Sequence, residues 1–203
     1  MNVFVGRYDK VSALAREDYR LMTSPILDHL RSATRDLHDG LEARLDVFAR
    51  VADPVRRREM VGRFLAFYRP AEAALARLLG EERGLEFDTR RKVPALERDL
   101  ATLRAAPPAD APLTPPTGRC EALGFLYVLE GSTLGGRVID KQLRVRGLSP
   151  EGLSFFQGYG EATGARWKAF CAVLERADDK AAAARGARSA FAQMEAWLCG
   201  ASA

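Results

Sequence analysis

The sequence contains no apolar segment long enough to cross a membrane as a helix, which needs about 18 to 20 residues. Its longest apolar run covers residues 122–129 and is interrupted by Gly124. The first residues also lack an apolar stretch after their charges, so the sequence predicts no secretory signal. We therefore expect a cytoplasmic protein without a membrane partner.

Cysteine and histidine are scarce, and their spacing argues against several kinds of site. The three cysteines, Cys120, Cys171 and Cys199, form no CxxC pair, as a zinc ribbon or thioredoxin-type site would require. Widely separated cysteines are typical of reduced cytosolic proteins. The two histidines, His29 and His38, do not form the paired Glu-x-x-His motifs of a di-iron site. A thiaminase-like hydrolase would need an activated cysteine, and nothing in the sequence activates Cys120 or Cys171.

Charge of both signs is spread along the chain rather than concentrated in one region. The 31 basic and 27 acidic residues leave a net charge of +4. The basic runs at residues 56–58 and 90–92 are short and lack the aromatic neighbours typical of nucleic-acid-binding surfaces. We expect no nucleic acid partner, and the mild positive excess suits an anionic ligand or an acidic protein.

Strand-like alternation is rare, and apolar residues recur at intervals of three and four, which predicts an all-α protein. Ser-Pro and Asp-Pro pairs favour helix starts. They predict an N-terminal arm over residues 1–23 and one helical domain of six to eight helices over residues 24–203. The expected helices span about 24–45, 54–82 with a kink at Pro70, 94–105, 119–146, 161–176 and 180–199, with a proline-rich linker at 107–118 and a short helix from 149.

The first predicted helix carries a histidine at the edge of its apolar face. Helical geometry places Arg31, Arg35, His38 and Glu42 along one flank of that face, with His29 on the exposed side. A neutral imidazole beside an apolar slot suits a heme iron, and guanidinium groups suit the heme propionates. Glu42 is placed to orient the ligand. A structural histidine with surface ion pairs is the alternative, and spacing alone leaves both interpretations open.

Three glycines, Gly131, Gly135 and Gly136, interrupt the longest predicted helix. Each glycine costs roughly 1 kcal/mol relative to alanine in a helix interior, so bare backbone must have a use there. One explanation is close helix packing, because Gly131 and Gly135 have a small-xxx-small spacing. The other is a bend whose backbone covers a flat ligand, with Ser132 or Thr133 lining the space above it. The residues alone leave these two explanations open.

Both segments resemble the heme oxygenase family. LRSATRDLHDGLE, residues 30–42, is similar to the proximal helix of that family, and YVLEGSTLGGRV, residues 127–138, to its distal helix. The distal motif is most similar to bacterial enzymes associated with bacteriophytochromes. The resemblance covers about residues 24–200. It implies an all-α, single-domain multi-helix bundle in which heme lies between the proximal and distal helices.

The resemblance also implies roles for individual residues. His38 would ligate the heme iron, and Arg31 and Arg35 would contact the propionates. The distal cover that takes part in catalysis would consist of Gly131, Ser132, Gly135 and Gly136. Further residues expected at the cofactor are Glu42, Tyr159, Arg166 and Lys168. One position departs from the family: Ser132 stands where many members carry an aspartate, so it can hydrogen-bond a water but brings no charge.

The implied reaction opens heme with O₂ and a reductant to give biliverdin, carbon monoxide and ferrous iron. Heme would be substrate and cofactor at once, and the IX-alpha isomer is the default product. A ferredoxin or flavodoxin would supply electrons, and a bacteriophytochrome would receive the bilin. The alternative is a heme carrier of the same fold that does not react, which the serine at position 132 favours. A helical interaction module without chemistry is the remaining alternative.

Overall fold

The computed structural model describes residues 24–200, which form α-helices and short 3₁₀ segments without any β-strand. The all-α prediction is confirmed, whereas the arm expected over residues 1–23 lies outside the described residues. No helix within residues 24–200 is both long and apolar enough to cross a membrane. The α-helices are α1 Pro25–Leu45, α2 Val47–Ala52, α3 Pro54–Leu79, α4 Val93–Thr102, α5 Arg119–Val145, α6 Thr163–Leu174 and α7 Lys180–Cys199; the 3₁₀ segments are Phe87–Arg90, Ser154–Gln157 and Gly160–Ala162.

Two of the three proline start signals begin a helix. Ser24 caps α1 by accepting a hydrogen bond from the Leu27 amide at 3.5 Å, and Asp53 caps α3 through two backbone amides. The short helix predicted from residue 149 is wrong. Ser149 caps only a turn there, and Gly152, with a φ of +69°, turns the chain out of a helical path. Helical structure resumes at Ser154 as a 3₁₀ segment.

Helix α7 packs against both α1 and α5, so it joins the two helices that carry the predicted motifs. It meets α5 backbone to backbone. A Cβ atom on Gly124 would lie 1.8 Å from the carbonyl oxygen of Ala183, and one on Gly186 would lie 2.0 Å from that of Glu121. Close packing of one helix on another through a glycine therefore occurs on α5 at Gly124, about two turns before Gly131.

Helix α1 runs in the same direction as α7 and is fixed to it by ion pairs on either side of His38. Asp36 pairs with Arg188 at 3.1 Å, and Arg44 pairs with Glu195 at 2.9 Å. The Arg188 guanidinium lowers the pKa of Asp36 below its usual range. These contacts determine which flank of α1 faces away from α7.

Candidate active site

His38 lies on the last half of α1 with its side chain 50% exposed. The imidazole meets the ring of Phe191 on α7 edge to face, with 5.8 Å between the centroids. Its Nε2 lies 3.6 Å from a carboxylate oxygen of Glu42, and its Nδ1 lies 3.6 Å from one of Asp39. The ring is therefore held on one edge, and each of its nitrogens has a carboxylate nearby. His29 is also exposed on the same helix, as predicted.

The predicted propionate contacts differ in their surroundings. The Arg31 side chain is 22% exposed and pairs with Asp28 at 3.5 Å. Burial raises the pKa of the Cys171 thiol to about 12, and the nearby charge of Arg31 opposes that shift, so Arg31 lies toward α6. Arg35 and Lys168 are exposed cations on α1 and α6. The protonated Cys171 also lacks the thiolate character that a cysteine nucleophile needs.

The glycine pair on α5 faces in two directions. At Gly135, a Cβ atom would meet none of the described residues within 4 Å, so the backbone borders open space. At Gly136, a Cβ atom would lie 2.9 Å from the carbonyl oxygen of Phe156, in the Ser154–Gln157 segment. Gly136 therefore holds this segment against α5, and Gly135 presents bare backbone outward.

Ser132 is engaged by a tyrosine that the sequence gave no reason to single out. The Ser132 hydroxyl donates to the carbonyl oxygen of Leu129 at 2.7 Å, and the Tyr68 hydroxyl lies 2.8 Å from the same serine oxygen. Because the single serine proton is used toward Leu129, Tyr68 is the donor in the second bond. Tyr68 belongs to α3 and is fully buried, so the serine is tied to the interior.

A buried polar cluster lies behind the glycine run, and it contains two of the predicted site residues. Glu130, next to Gly131 in sequence, forms an ion pair with Arg90 at 2.8 Å, and both side chains are 3% exposed. The Tyr159 hydroxyl donates to the other oxygen of Glu130 at 2.6 Å. Burial and the charge of Glu130 together raise the pKa of Tyr159 above its usual value. Arg166 packs over the ring of Tyr159 and donates to Thr89 from its guanidinium.

No hydrogen bond, ion pair or ring contact among residues 24–200 joins His38 to the glycine run. His38 packs on α7, whereas the glycine run contacts α3 and the Ser154–Gln157 segment. Tyr68, Arg90 and Glu130 were not predicted as site residues from the sequence. Only Glu130 carried a local signal, because it is a charged residue directly after the apolar run 122–129.

Comparison with known proteins identifies the family of this chain. The sequence model of the heme oxygenase family matches residues 24–199. The chain belongs to the heme oxygenase family. It is 41% identical over 122 residues to a heme oxygenase of Xanthomonas campestris pv. campestris, an alignment that covers 57% of this chain and 72% of the relative. Membership makes the chain an enzyme of the heme oxygenase class.

A solved structure shows the same fold. The heme oxygenase of Neisseria meningitidis, determined in NO- and CO-bound crystal structures, superimposes with a TM-score of 0.70 at 22% sequence identity. The superposition covers 85% of this chain and 89% of the Neisseria chain. The expected heme oxygenase-like bundle is therefore confirmed as the fold of the described residues.

Proposed function

We propose that this member of the heme oxygenase family uses O₂ and a reductant to open heme to biliverdin IX-alpha, carbon monoxide and ferrous iron. One observation carries the proposal. A half-exposed imidazole, His38, stands on the helix that matches the family's proximal pattern, with the guanidinium of Arg35 exposed one turn earlier. An accessible neutral imidazole with cations nearby suits an iron porphyrin that carries two carboxylates.

The residues present fit heme, and the backbone at Gly135 is the feature that shows it. A flat macrocycle needs a surface without side chains. Gly135 provides one, because the space that a Cβ atom would occupy there is open. On α1, the imidazole of His38 is held on one edge by Phe191 and remains half exposed. The donor set and the bare backbone together suit a planar iron-containing ligand.

In this proposal the side chains of α1 and α6 hold and orient the substrate. His38 ligates the iron through one nitrogen, while Glu42 or Asp39 keeps the proton on the other and so fixes the ring orientation. Arg31, Arg35 and Lys168 neutralise the propionates. Arg166 and Tyr159 are bonded within the buried cluster, so we assign them to the support of α5 and not to a propionate.

The distal glycines leave this face of α5 without side chains, and Ser132 adds a single hydroxyl. Heme, when bound, supplies both the redox-active iron and the ring that is cleaved. Gly135 leaves room beside α5, and Gly136 fixes that helix against the Ser154–Gln157 segment. Gly131 keeps the distal role that the resemblance implies. Ser132 offers a hydroxyl that Tyr68 holds in place from α3. Rotation of the serine hydroxyl away from Leu129 would direct its proton toward the distal side.

The proposal extends to partners and location. The exposed cations Arg35 and Lys168 suit an acidic electron donor such as a ferredoxin or flavodoxin, because opposite charges speed association. Delivery of the bilin to a bacteriophytochrome rests on the resemblance of the distal motif. A cytoplasmic location rests on the widely separated cysteines, which are typical of reduced cytosolic proteins.

The experiment is a hemin titration followed by addition of ascorbate in air. We expect one heme per chain with a six-coordinate histidine spectrum, then loss of the Soret band and growth of a broad biliverdin band. Chromatography of the product identifies the isomer and shows whether it assembles with a bacteriophytochrome apoprotein. In the same assay, salt should slow ferredoxin-driven opening more than ascorbate-driven opening.

Each other result has a defined meaning. Stoichiometric binding without ring opening, under ferredoxin as well as ascorbate, would replace the proposal with a heme carrier. Absence of stoichiometric binding would contradict the heme site altogether. Equal effects of salt on the two reductants would contradict docking of an acidic donor on the cations of α1 and α6.

The Gly135→Ala variant separates stability from heme binding. Because the added methyl meets none of the described residues and improves helix propensity, the heme-free protein should gain up to about 1 kcal/mol in free energy of unfolding. The same methyl would enter the space assigned to heme. Overpacking of roughly 1–3 kcal/mol corresponds to about 5- to 150-fold weaker binding. Denaturant unfolding and hemin titration measure the two effects.

Gly164→Ala on α6 is the matched control, since its added methyl also meets nothing within 4 Å among the described residues. Heme affinity should be unchanged in this variant. Unaltered heme affinity in Gly135→Ala as well would show that heme does not lie against this part of α5.

A further inference from the structure

A buried carboxylate on α4 holds the short segment that packs against the glycine pair of α5. Asp99 is only 3% exposed. Its Oδ1 accepts a hydrogen bond from the Ser154 amide, and its Oδ2 accepts one from the Phe155 amide, each at 2.8 Å. Hydrogen bonds to a carboxylate are stronger than those between neutral groups, and burial strengthens them further. Asp99 therefore ties the start of the Ser154–Gln157 segment firmly to α4.

The segment depends on Asp99 because it cannot cap itself. The first amides of a helical segment have no partner within that segment. Leu153, the residue before it, has no polar side chain that could accept from them. Without the Asp99 carboxylate, the Ser154 and Phe155 amides would lose their acceptors, and the bond from Phe155 is buried. A buried amide without a partner is costly, so the segment would have to move.

The segment in turn determines the position of α5, because the two are in tight contact over a turn of that helix. A Cβ atom on Gly136 would lie 2.9 Å from the carbonyl oxygen of Phe156. A Cβ atom on Gly158, which directly follows the segment, would lie 2.6 Å from the methyl carbon of Thr133. Thr133 and Gly136 are three residues apart and share one face of α5. A displacement of the segment would therefore displace this part of α5 as well.

The glycine pair makes α5 sensitive to this contact. Two consecutive glycines have more backbone freedom than any other pair of residues, so the helix bends easily at Gly135 and Gly136. On one side, the backbone at Gly135 borders open space among the described residues. On the other side, Gly136 meets the segment that Asp99 holds. The position of this weak point in α5 is therefore set mainly from the side of α4.

We propose that Asp99 is a positioning residue: through the Ser154–Gln157 segment it fixes how the bare backbone of α5 lies over heme, and so determines where the ring is opened. This inference rests on the proposed function, because it requires heme to lie against Gly135. Asp99 acts only through the segment. Loss of its carboxylate should therefore leave heme affinity unchanged, since His38 and the cations of α1 and α6 are retained, while α5 gains the freedom to cover heme in more than one way.

The Asp99→Asn variant keeps the shape of the side chain and replaces one acceptor oxygen by a nitrogen that cannot accept from the segment. With ascorbate as reductant, we expect the single biliverdin isomer of the wild type to become a mixture of isomers, with wild-type heme affinity. A general loss of stability reduces the amount of folded enzyme and leaves the ratio of its products unchanged, so the isomer ratio reports positioning. Glu97→Gln makes the equivalent change on an exposed side chain of α4 and should still give a single isomer.

Hydrogen exchange in the heme-free protein measures the same coupling without any reaction. In Asp99→Asn, the amides of Ser154 and Phe155 should exchange about 10- to 150-fold faster, as expected for the loss of a hydrogen bond to a charged group. The amides of residues 135–137 on α5 should exchange about 2- to 30-fold faster, the range typical of coupling between packed elements. Amides in the interior of α7 should keep their wild-type rates, because the effect is local.

The coupling is also tested from the side of α5. Gly136→Ala places a methyl 2.9 Å from the carbonyl oxygen of Phe156, so the segment must shift. Because a coupling free energy is reciprocal, exchange at the Ser154 and Phe155 amides should become faster in this variant, although Asp99 is unaltered. This measurement uses the heme-free protein as well, and it decides the proposal even if Asp99→Asn does not fold.

Several results would overturn the proposal. Among them are a single isomer in Asp99→Asn, wild-type exchange at residues 135–137 in that variant, and wild-type exchange at the Ser154 amide in Gly136→Ala. Loss of heme affinity in Asp99→Asn, or equally faster exchange throughout α7, would also overturn it, because Asp99 would then support the whole fold. A wild-type protein that binds heme without opening it would contradict the proposed function, while the exchange rates still decide whether Asp99 positions α5.

Discussion

Replacement of His38 by alanine is expected to abolish the six-coordinate heme spectrum while the fold remains intact. The side chain is half exposed, and its main packing contact is the ring edge of Phe191, so truncation should cost about 1 kcal/mol or less. Bound heme, however, would lack the histidine proposed to hold its iron, and the protein ligand influences the spectrum and reactivity of heme. Hemin titration followed at the Soret band, with thermal unfolding of the heme-free protein alongside, separates the two effects.

The same helix offers a matched control for this loss. His29→Ala removes an exposed imidazole on α1 and should leave the heme spectrum unchanged. Because His38 is accessible, added imidazole should enter the gap left in His38→Ala and restore a histidine-like spectrum. Retention of the wild-type spectrum in His38→Ala, or its loss in His29→Ala, would contradict the assignment of the iron ligand to His38.

Heme binding should also appear as a difference in stability. A ligand that binds only the folded state stabilises it by about 2.7 kcal/mol at a free concentration of 100 times its Kd. Hemin should therefore raise the melting temperature of the wild-type protein. The His38→Ala variant should lose most of this increase while its heme-free melting temperature stays close to that of the wild type. A variant that unfolds before hemin is added would not bear on ligation, and His38→Gln would then replace it as the test.

The features that could be predicted from the sequence are those set by neighbouring residues. The predicted bounds of α7 match Lys180–Cys199, where the Asp179 side chain accepts from the Ala182 amide at 2.8 Å and begins the helix. Such caps are local, and they depend on residue types within a few positions. The 3₁₀ segment at Phe87–Arg90 and helix α2 escaped prediction because each is less than two turns long, too short to produce a periodic pattern.

The buried cluster behind α5 could not be predicted for the opposite reason. Its central ion pair joins Arg90 to Glu130, which are 40 positions apart. In the sequence, each of these residues is one charged residue among many, and only the fold decides which charges meet in the interior. The proximal motif was easier to identify, because its members lie within thirteen residues of one helix and share a flank.

Replacement of Gly124 by alanine is expected to be among the most destabilising single changes in the chain. The new Cβ would lie 1.8 Å from the carbonyl oxygen of Ala183, where ordinary contacts are beyond 3.4 Å, and both partners are helix backbone. Neither backbone can turn aside, so α5 and α7 must separate over their shared interface. We expect a loss of about 3–5 kcal/mol, which corresponds to a melting temperature roughly 6–20 °C lower.

Gly40→Ala is the matched control for this stability measurement in the heme-free protein. It lies in the interior of α1, and among residues 24–200 its added methyl would meet only the Glu195 carboxylate, at an ordinary 3.6 Å. Improved helix propensity should leave the protein unchanged or more stable by up to about 1 kcal/mol. Equal stability of Gly124→Ala and Gly40→Ala would mean that α5 and α7 do not approach as closely as the structure has them.

The double variant distinguishes a shared helix crossing from two separate contacts. Gly186→Ala alone should also destabilise the protein, because its Cβ would lie 2.0 Å from the carbonyl oxygen of Glu121. If one separation of α5 from α7 relieves both clashes, the second methyl adds little once the first has moved the helices. The combined loss should then be smaller than the sum by about 1–3 kcal/mol, as expected for coupled neighbours. A strictly additive loss would show that each glycine serves only its own local contact and that the two contacts are independent of each other.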